Sequence, residues 1–354
     1  MAEIQQSAAP PSKGRLEYPF ADPPGPAQHR QVADGVHWLR IPMPGRLDHI
    51  NVWLIKDGAG WTVVDTGMPL EEAREAWRGA FRSLLEGQPV TRVIVTHMHP
   101  DHVGLAGWLC ETFDTDLWMS RGDYFMCRTL AMDTGHKPPE EAFDFYYAVG
   151  FTDEDLASYR ENFGKFGKFI SPMPQSYRRL QEGERLQIGP REWHVVVGTG
   201  HAPEHICLHC PALNLFISGD QILPRISSNV SVWPTEPESN PLQDWLSSCK
   251  KLKALLPADV LVLPAHHDAF RGVHYRLSVI IREHEENLAK LIAACVEPKR
   301  ARDVFSLLFK SKITETNLIP AAGEAVAHLN CLLHRGQLTR TTDESGVYWY
   351  QTRQ

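Results

Sequence analysis

A short apolar strand that runs directly into four potential metal ligands is the tightest constraint in this chain. Residues 92–96 read Arg-Val-Ile-Val-Thr, and His97-Met98-His99-Pro100-Asp101-His102 follows at once. A brief apolar run bounded by turn residues reads as a buried strand. In an extended segment, residues two apart point to the same side, so His97 and His99 can face one point. The chain must turn at Pro100, so Asp101 and His102 can face a second point. One tight loop can therefore serve two adjacent metals. The 17 His outnumber the 7 Cys and 8 Met together, which points to imidazole ligands.

Three further segments repeat the same local grammar: a strand, a small or turn residue, then a potential ligand. Gly198-Thr199-Gly200-His201 follows the strand near Trp193–Val197. Ser218-Gly219-Asp220 follows Leu215–Ile217, and Pro264-Ala265-His266 follows Val260–Leu263. All three fall where loops leave strands, and so can meet the 97–102 loop on one rim.

The element pattern is mixed. Strands are expected at Val36–Ile41, Ile50–Ile55, Trp61–Val64 and Arg92–Thr96, and helices at 69–86, Gly104–Phe113 and Leu242–Leu256. Strand-rich and covered by helices, this is an α+β chain in an αββα sandwich rather than a doubly wound parallel sheet. Its 354 residues exceed what one core usually serves, so more than one domain is expected. We divide it into a Pro-rich N-terminal arm (1–31), a catalytic domain (32–274) and a C-terminal domain (275–354). A helical, aromatic insert at about 120–180 either packs onto the sandwich or walls a pocket. The last segment, with helices expected at Tyr275–Val296, Ala301–Lys310 and Ala321–Arg335 followed by a hairpin at 336–350, is a winged-helix-like pattern.

Several classes are excluded or disfavoured. No apolar run is long enough to span a bilayer, and residues 1–30 hold no signal-peptide core. Seven cysteines spread along the chain do not make a disulfide framework, and Cys207 and Cys210, three apart on a strand, point to opposite faces. A cytoplasmic location is the expectation. The net charge of −7 argues against nucleic acid and anionic membranes as partners. Residues 271–354 hold 12 basic and 9 acidic side chains, too even a balance for a nucleic-acid module. A small-molecule substrate is expected instead, and the arm and C-terminal module suit a homodimer.

Asp65-Thr66-Gly67, Thr96–His102, Gly200-His201-Ala202-Pro203-Glu204-His205, Ser218-Gly219-Asp220 and Pro264-Ala265-His266 together resemble the metallo-β-lactamase-fold metallo-hydrolase superfamily. Order and spacing agree over about 32–270. With its C-terminal winged-helix module the chain looks like the glyoxalase-II-like branch rather than the antibiotic-degrading enzymes. The resemblance implies a four-layer αββα sandwich and two metal ions. His97, His99 and His201 would bind the first, Asp101, His102 and His266 the second, and Asp220 both. Two zinc ions are the default, with iron or manganese compatible with the donor set. It also implies a metal-bridging hydroxide that cleaves an ester-type bond, with Asp101 orienting the nucleophile or moving a proton.

The family often has Gly after the last His, whereas this chain has His267. Position after Pro264 favours His266 as the ligand, which leaves His267 facing solvent or substrate. Asp65 either holds the ligand loops by hydrogen bonds or stabilises its own turn, and His205 either orients the 200–205 loop or is merely buried. Arg225, Tyr124 and His136 are candidates for substrate contacts. The aromatic insert favours a thioester or ester with an apolar acyl part. Lactones, phosphodiesters, phosphotriesters, a nuclease activity and a di-iron redox role are the alternatives. The redox class normally adds a flavin domain, and no Gly-rich phosphate loop after a strand is present.

Overall fold

The computed structural model describes residues 15–310 and 312–353. Seven strands form the first sheet in chain order: β1 (His29–Ala33), β2 (Val36–Pro42), β3 (His49–Asp57), β4 (Gly60–Val64), β5 (Val90–Ile94), β6 (Leu117–Met119) and β7 (Arg178–Arg179). β1 to β4 are an antiparallel meander, whereas β4 to β7 pair in parallel. Parallel neighbours need crossovers. These are α1 (Glu71–Ala80), then α2 (Pro100–Val103) and α3 (Ala106–Phe113), then the insert helices α4 (Arg121–Met132), α5 (Glu140–Val149) and α6 (Ala157–Asn162).

The second sheet has the order β12-β11-β10-β9-β8, from β8 (Arg185–Ile188), β9 (Arg191–Gly198), β10 (His205–Cys210), β11 (Leu215–Gly219) and β12 (Leu261–Pro264). Helix α7 (Pro241–Leu255) carries the parallel crossover from β11 to β12. The chain ends with α8 (Val273–Ala294), α9 (Phe305–Leu308), α10 (Leu318–His334) and the hairpin β13 (Leu338–Thr342) and β14 (Tyr348–Thr352).

Period-two alternation explains the layers. In β3, Ile50, Val52 and Leu54 face α1 and α3, while Trp53 and Ile55 face the other sheet. Trp38, Trp53, Trp193, Leu208 and Ile217 fill the space between the sheets. On the outer face, α1 presents Ala73, Ala76, Trp77 and Ala80 at helical spacing. On the opposite outer face, Trp245, Cys249 and Leu252 of α7 meet Val196, Cys207 and Phe216. The result is the expected αββα order. Cys207 and Cys210 do lie on opposite faces, and all seven cysteines are buried and free. No helix among the described residues is long and apolar enough to cross a membrane.

Three expectations need correction. The arm ends before residue 31, because β1 begins at His29 and pairs with β2. The described part of the arm lies on its own chain: Glu17 bridges Arg271, and the Phe20 ring meets Trp38 edge-on at 6.2 Å. Pro10 and Pro11 lie outside the described residues. The helix expected over 69–86 is α-helical only to Ala80. A π-helical turn at Phe81–Leu85 follows, ended by Glu86 at φ 52°. Finally, the helix expected over Ala301–Lys310 is a 3-10 turn and the four-residue α9.

The insert mainly packs. Tyr146 and Phe151 are buried in the core shared with α7, α8 and α10. Tyr124 stacks on Tyr177 with ring centroids 3.8 Å apart.

Candidate dinuclear metal centre

All the ligand candidates leave the carboxyl ends of strands. After β5 the chain bends over residues 96–99, and His99 itself is extended, at φ −63° and ψ 145°. Pro100 then opens α2, a position where its missing N–H is harmless. This change of direction lets the 97–102 loop face two points. His201 follows β9, Asp220 follows β11 and His266 follows β12, bringing three other loops to the same rim.

Two groups of ligand atoms form there. His97, His99, His201 and Asp220 offer atoms all within 4.8 Å of one another, as do Asp101, His102 and His266. In the first group, His97 Nε2 lies 2.8 Å from His99 Nδ1 and 3.3 Å from His201 Nε2. In the second, Asp101 Oδ2 lies 3.2 Å from His266 Nε2 and 3.5 Å from His102 Nε2. Asp220 joins the two. Its Oδ2 is 3.5 Å from His201 Nε2, and its Oδ1 is 3.5 Å from His266 Nε2 and 3.6 Å from His102 Nε2.

The far nitrogens explain why the near ones point inward. A carbonyl or carboxylate oxygen only accepts, so a ring nitrogen bonded to one carries the proton. His201 Nδ1 donates to Asn229 O at 2.7 Å, His266 Nδ1 to His49 O at 3.1 Å and His102 Nδ1 to Asp65 Oδ2 at 2.8 Å. Thr96 Oγ1 donates to Asp65 Oδ2 at 2.9 Å and so can accept from His97 Nδ1 at 3.1 Å. Each arrangement leaves the Nε2 lone pair facing the cluster, the tautomer a metal requires. His102 Nε2 and Asp220 Oδ1 are buried with no hydrogen-bond partner among the described residues. Leaving such atoms unpaired is unfavourable, and a cation between the groups removes that penalty. The nitrogen and carboxylate donor set fits a pair of divalent ions.

The electrostatics divide along the same line. Burial, helped by His102 and other neighbouring rings, pushes His97 well below its ordinary value. Burial and His201 take His99 to about 3. Both are therefore neutral and ready to bind a cation near pH 7. Burial also opposes the charge on His102, but Asp101, Asp65 and Asp220 overcome it and hold a proton there. Burial pushes Asp220 up, yet His266 and His102 bring it well below the usual carboxylate range. Asp101 falls to about 2, because His102 and the His266 bond outweigh its burial. Cations entering the second group would displace the imidazole protons.

Asp65 does more than form its turn. Its Oδ1 also accepts Thr96 N–H at 2.8 Å, so it ties the β4 exit to the ligand loop. His205 is a positioning group as well: its Nε2 accepts the Asp220 N–H at 3.0 Å, and its ring stacks on His97 at 4.7 Å. Gly219, at φ 49°, permits this approach, since a Cβ there would lie 2.5 Å from the His205 ring.

Between the adjacent His266 and His267, the geometry favours His266. His267 adopts φ 66°, and its carbonyl accepts Asn51 Nδ2 at 2.6 Å. Arg225 is exposed and pairs with Asp268 at 3.2 Å. The Tyr124 hydroxyl is committed to Pro174 O at 2.9 Å, and His136 is exposed in the α4–α5 loop. Among the described residues, no hydrogen bond or ring contact joins Tyr124, His136 or Arg225 to the two groups.

Two supporting residues escaped the sequence reading. Asp123, fully buried, accepts Met98 N–H at 2.9 Å and Glu204 N–H at 2.8 Å, so it clamps two ligand loops together. Ser120 and Asp123 have the spacing of a helix N-terminus, which masks this second task. Asn51 donates to Pro264 O at 2.9 Å and so holds the His266 loop. A polar residue inside the apolar run Ile50–Ile55 was a signal for it.

Comparison with known proteins agrees with this geometry. Residues 45–266 match the family model of the metallo-beta-lactamase superfamily. Residues 288–353 match the metallo-beta-lactamase-like C-terminal domain. The crystal structure of a beta-lactamase domain protein from Burkholderia ambifaria is 41% identical, with a TM-score of 0.88 over 96% of this chain and 98% of that one. The probable metallo-hydrolase YqjP of Bacillus subtilis is 24% identical over 88% of this chain and 96% of its own length. The acyl-coenzyme A thioesterase MBLAC2 of Gallus gallus is 25% identical over 71% of this chain and 84% of its own. With the αββα sandwich and the paired ligand groups already in place, these matches establish that the chain belongs to the metallo-β-lactamase superfamily and is a metal-dependent hydrolase.

Proposed function

We propose that this protein is a dinuclear zinc enzyme that hydrolyses an acyl thioester. One observation carries the dinuclear part: the two oxygens of Asp220 face different ligand groups. His97, His99 and His201 would hold one ion, Asp101, His102 and His266 the other, with Asp220 between them. When bound, such ions polarise a substrate oxygen and lower the pKa of water toward about 7, a contribution of several kcal/mol.

The protein's own groups do the rest. Asp65, Asn229 O and His49 O keep the imidazole lone pairs inward, so no reorganisation is needed as charge develops. Asp101 is the more open of the two central carboxylates, with 18% of its side chain exposed against 11% for Asp220. That exposure supports a role in which Asp101 takes a proton from the attacking water and returns it to the leaving group. A thiolate leaving group needs little such help, which suits a site where Asp101 carries the proton. The thioester reading draws support from the printed activity of the MBLAC2 relative. All ligands are nitrogen or oxygen, so iron and manganese are the competing metals.

The test is a panel on purified, metal-analysed protein: acyl-coenzyme A thioesters of rising chain length, a lactone, a phosphodiester, an oligonucleotide and nitrocefin. We expect thioester turnover at least about tenfold above any other substrate, a gap of about 1.4 kcal/mol in transition-state binding. Cleavage of another bond with no thioester turnover would overturn the substrate reading and leave the metal centre standing.

A further inference from the structure

The C-terminal domain touches the metal centre through one strip of chain. Residues 221–233 run from Asp220 between the sandwich and helices α8 and α10. Within this strip Ser228 Oγ donates to Asp220 O at 2.5 Å, and Asn229 O accepts the His201 Nδ1–H at 2.7 Å. The strip thus touches the backbone of one ligand candidate and the ring of another.

The C-terminal helices pin this strip from the other side. On α8, the buried Arg276 donates through Nε to Leu223 O and through Nη2 to Ile226 O, both at 2.6 Å. On α10, Glu324 Oε2 accepts Asn229 Nδ2 at 3.1 Å, and Gly323 O accepts Val232 N–H at 3.0 Å. Ser231 Oγ bonds Asn229 Oδ1 at 2.5 Å and lies 3.2 Å from Pro320 O. The contact is close: a Cβ on Gly323 would lie 2.7 Å from Ser231 Cβ and 2.8 Å from Val232 O. Glu324 therefore fixes Asn229, the residue whose carbonyl orients His201, and Gly323 fixes Val232 three residues further along the strip. Burial pushes the Glu324 carboxyl up to about 7, against the opposing Asn229 bond, so this acid sits where its charge is disfavoured.

We propose that Glu324 is a positioning residue for the first metal ion, acting through Asn229 on His201, so that the C-terminal domain completes the metal centre. It touches neither ion nor substrate. It fixes the side chain of Asn229, and hence the direction of the carbonyl that holds the His201 ring. Outer partners of this kind are worth about 10- to 100-fold in metal affinity. The inference rests on the dinuclear reading but not on the thioester, because its readout is metal binding.

The test uses the full chain, stripped of metal and titrated with Co²⁺, with absorption spectra recorded at each step. Glu324→Leu removes the acceptor, whereas Glu324→Gln keeps one. Asn229→Ala breaks the same bond from the other end without altering α10, which covers the case in which Glu324→Leu fails to fold. Glu324→Leu and Asn229→Ala are expected to weaken one of the two Co²⁺ sites about 10- to 100-fold and shift its bands. The other site should keep its affinity, and Glu324→Gln should restore the wild-type spectrum. Folded Glu324→Leu or Asn229→Ala protein with wild-type spectra and affinities at both sites would overturn the proposal. Equal weakening of both sites would also overturn it. A wild-type chain that binds a single ion would instead break the dinuclear reading beneath it.

Discussion

Asp220→Ala is expected to remove the shared carboxylate and, with it, metal retention in both groups. Turnover should fall at least about 10³-fold, the equivalent of about 4 kcal/mol of lost transition-state stabilisation. The physical reason is local. Asp220 Oδ1 and Oδ2 each approach a different set of imidazoles, so one substitution removes a donor from both. Six imidazole and carboxylate side chains are left facing each other without the central negative charge. The fold should survive. Ser228 bonds the Asp220 backbone carbonyl, which alanine keeps. Metal content and kcat/KM measured on one sample check this, with circular dichroism as the folding control. Retention of both ions at full activity would remove Asp220 from the centre.

Asp123→Ala should have the largest effect on stability among the residues around the site. The carboxylate accepts Met98 N–H, Glu204 N–H and the Ser120 hydroxyl in a fully buried position. Removing it leaves these donors unpaired, at about 1–3 kcal/mol each, so a loss of about 4 kcal/mol is expected. It also releases the 97–102 and 200–205 loops from one another, and activity should fall alongside.

The pH dependence has a definite sign. Burial raises the Asp123 carboxyl to about 6, against the bonds it accepts, whereas its ordinary value is 3.8. Between these values the folded state binds more protons than the unfolded state, so this group's stabilising contribution falls as pH rises. In metal-free protein, the stability gap between wild type and Asp123→Ala should therefore be widest near pH 4 and narrow toward pH 6. Urea unfolding at several pH values measures it, and a gap that widens over that range would contradict the burial argument.

The two groups of candidate ligands were legible because each candidate is signalled locally, by a strand, a turn and a donor within a few residues. His97, His99, Asp101 and His102 share one loop, and His201, Asp220 and His266 repeat the pattern. The αββα layering was legible for a similar reason, since alternation within β3 assigns its two faces. What was not legible is held by contacts distant in sequence. Asp123 meets Glu204 81 residues away, and Asn229 meets Glu324 95 residues away. Neither spacing nor residue type predicts such pairs. The substrate-side candidates also have partners distant in sequence. Arg225 reads as a free cation in sequence, but Asp268, 43 residues on, pairs with it. Tyr124 reads as part of an aromatic wall, yet its hydroxyl bonds Pro174 O. The strand at His29 was hidden by the prolines before it, and the π-helical turn at Phe81–Leu85 continues an unbroken helical pattern.

The central claim is that one chain holds two divalent ions sharing Asp220. Equilibrium dialysis of metal-stripped protein against Zn²⁺, with elemental analysis and turnover read at each step, tests it most directly. Two ions per chain, with hydrolysis absent from the stripped protein and restored on loading, is the predicted result. Saturation at one ion per chain, or full activity in protein shown to be free of metal, would contradict it.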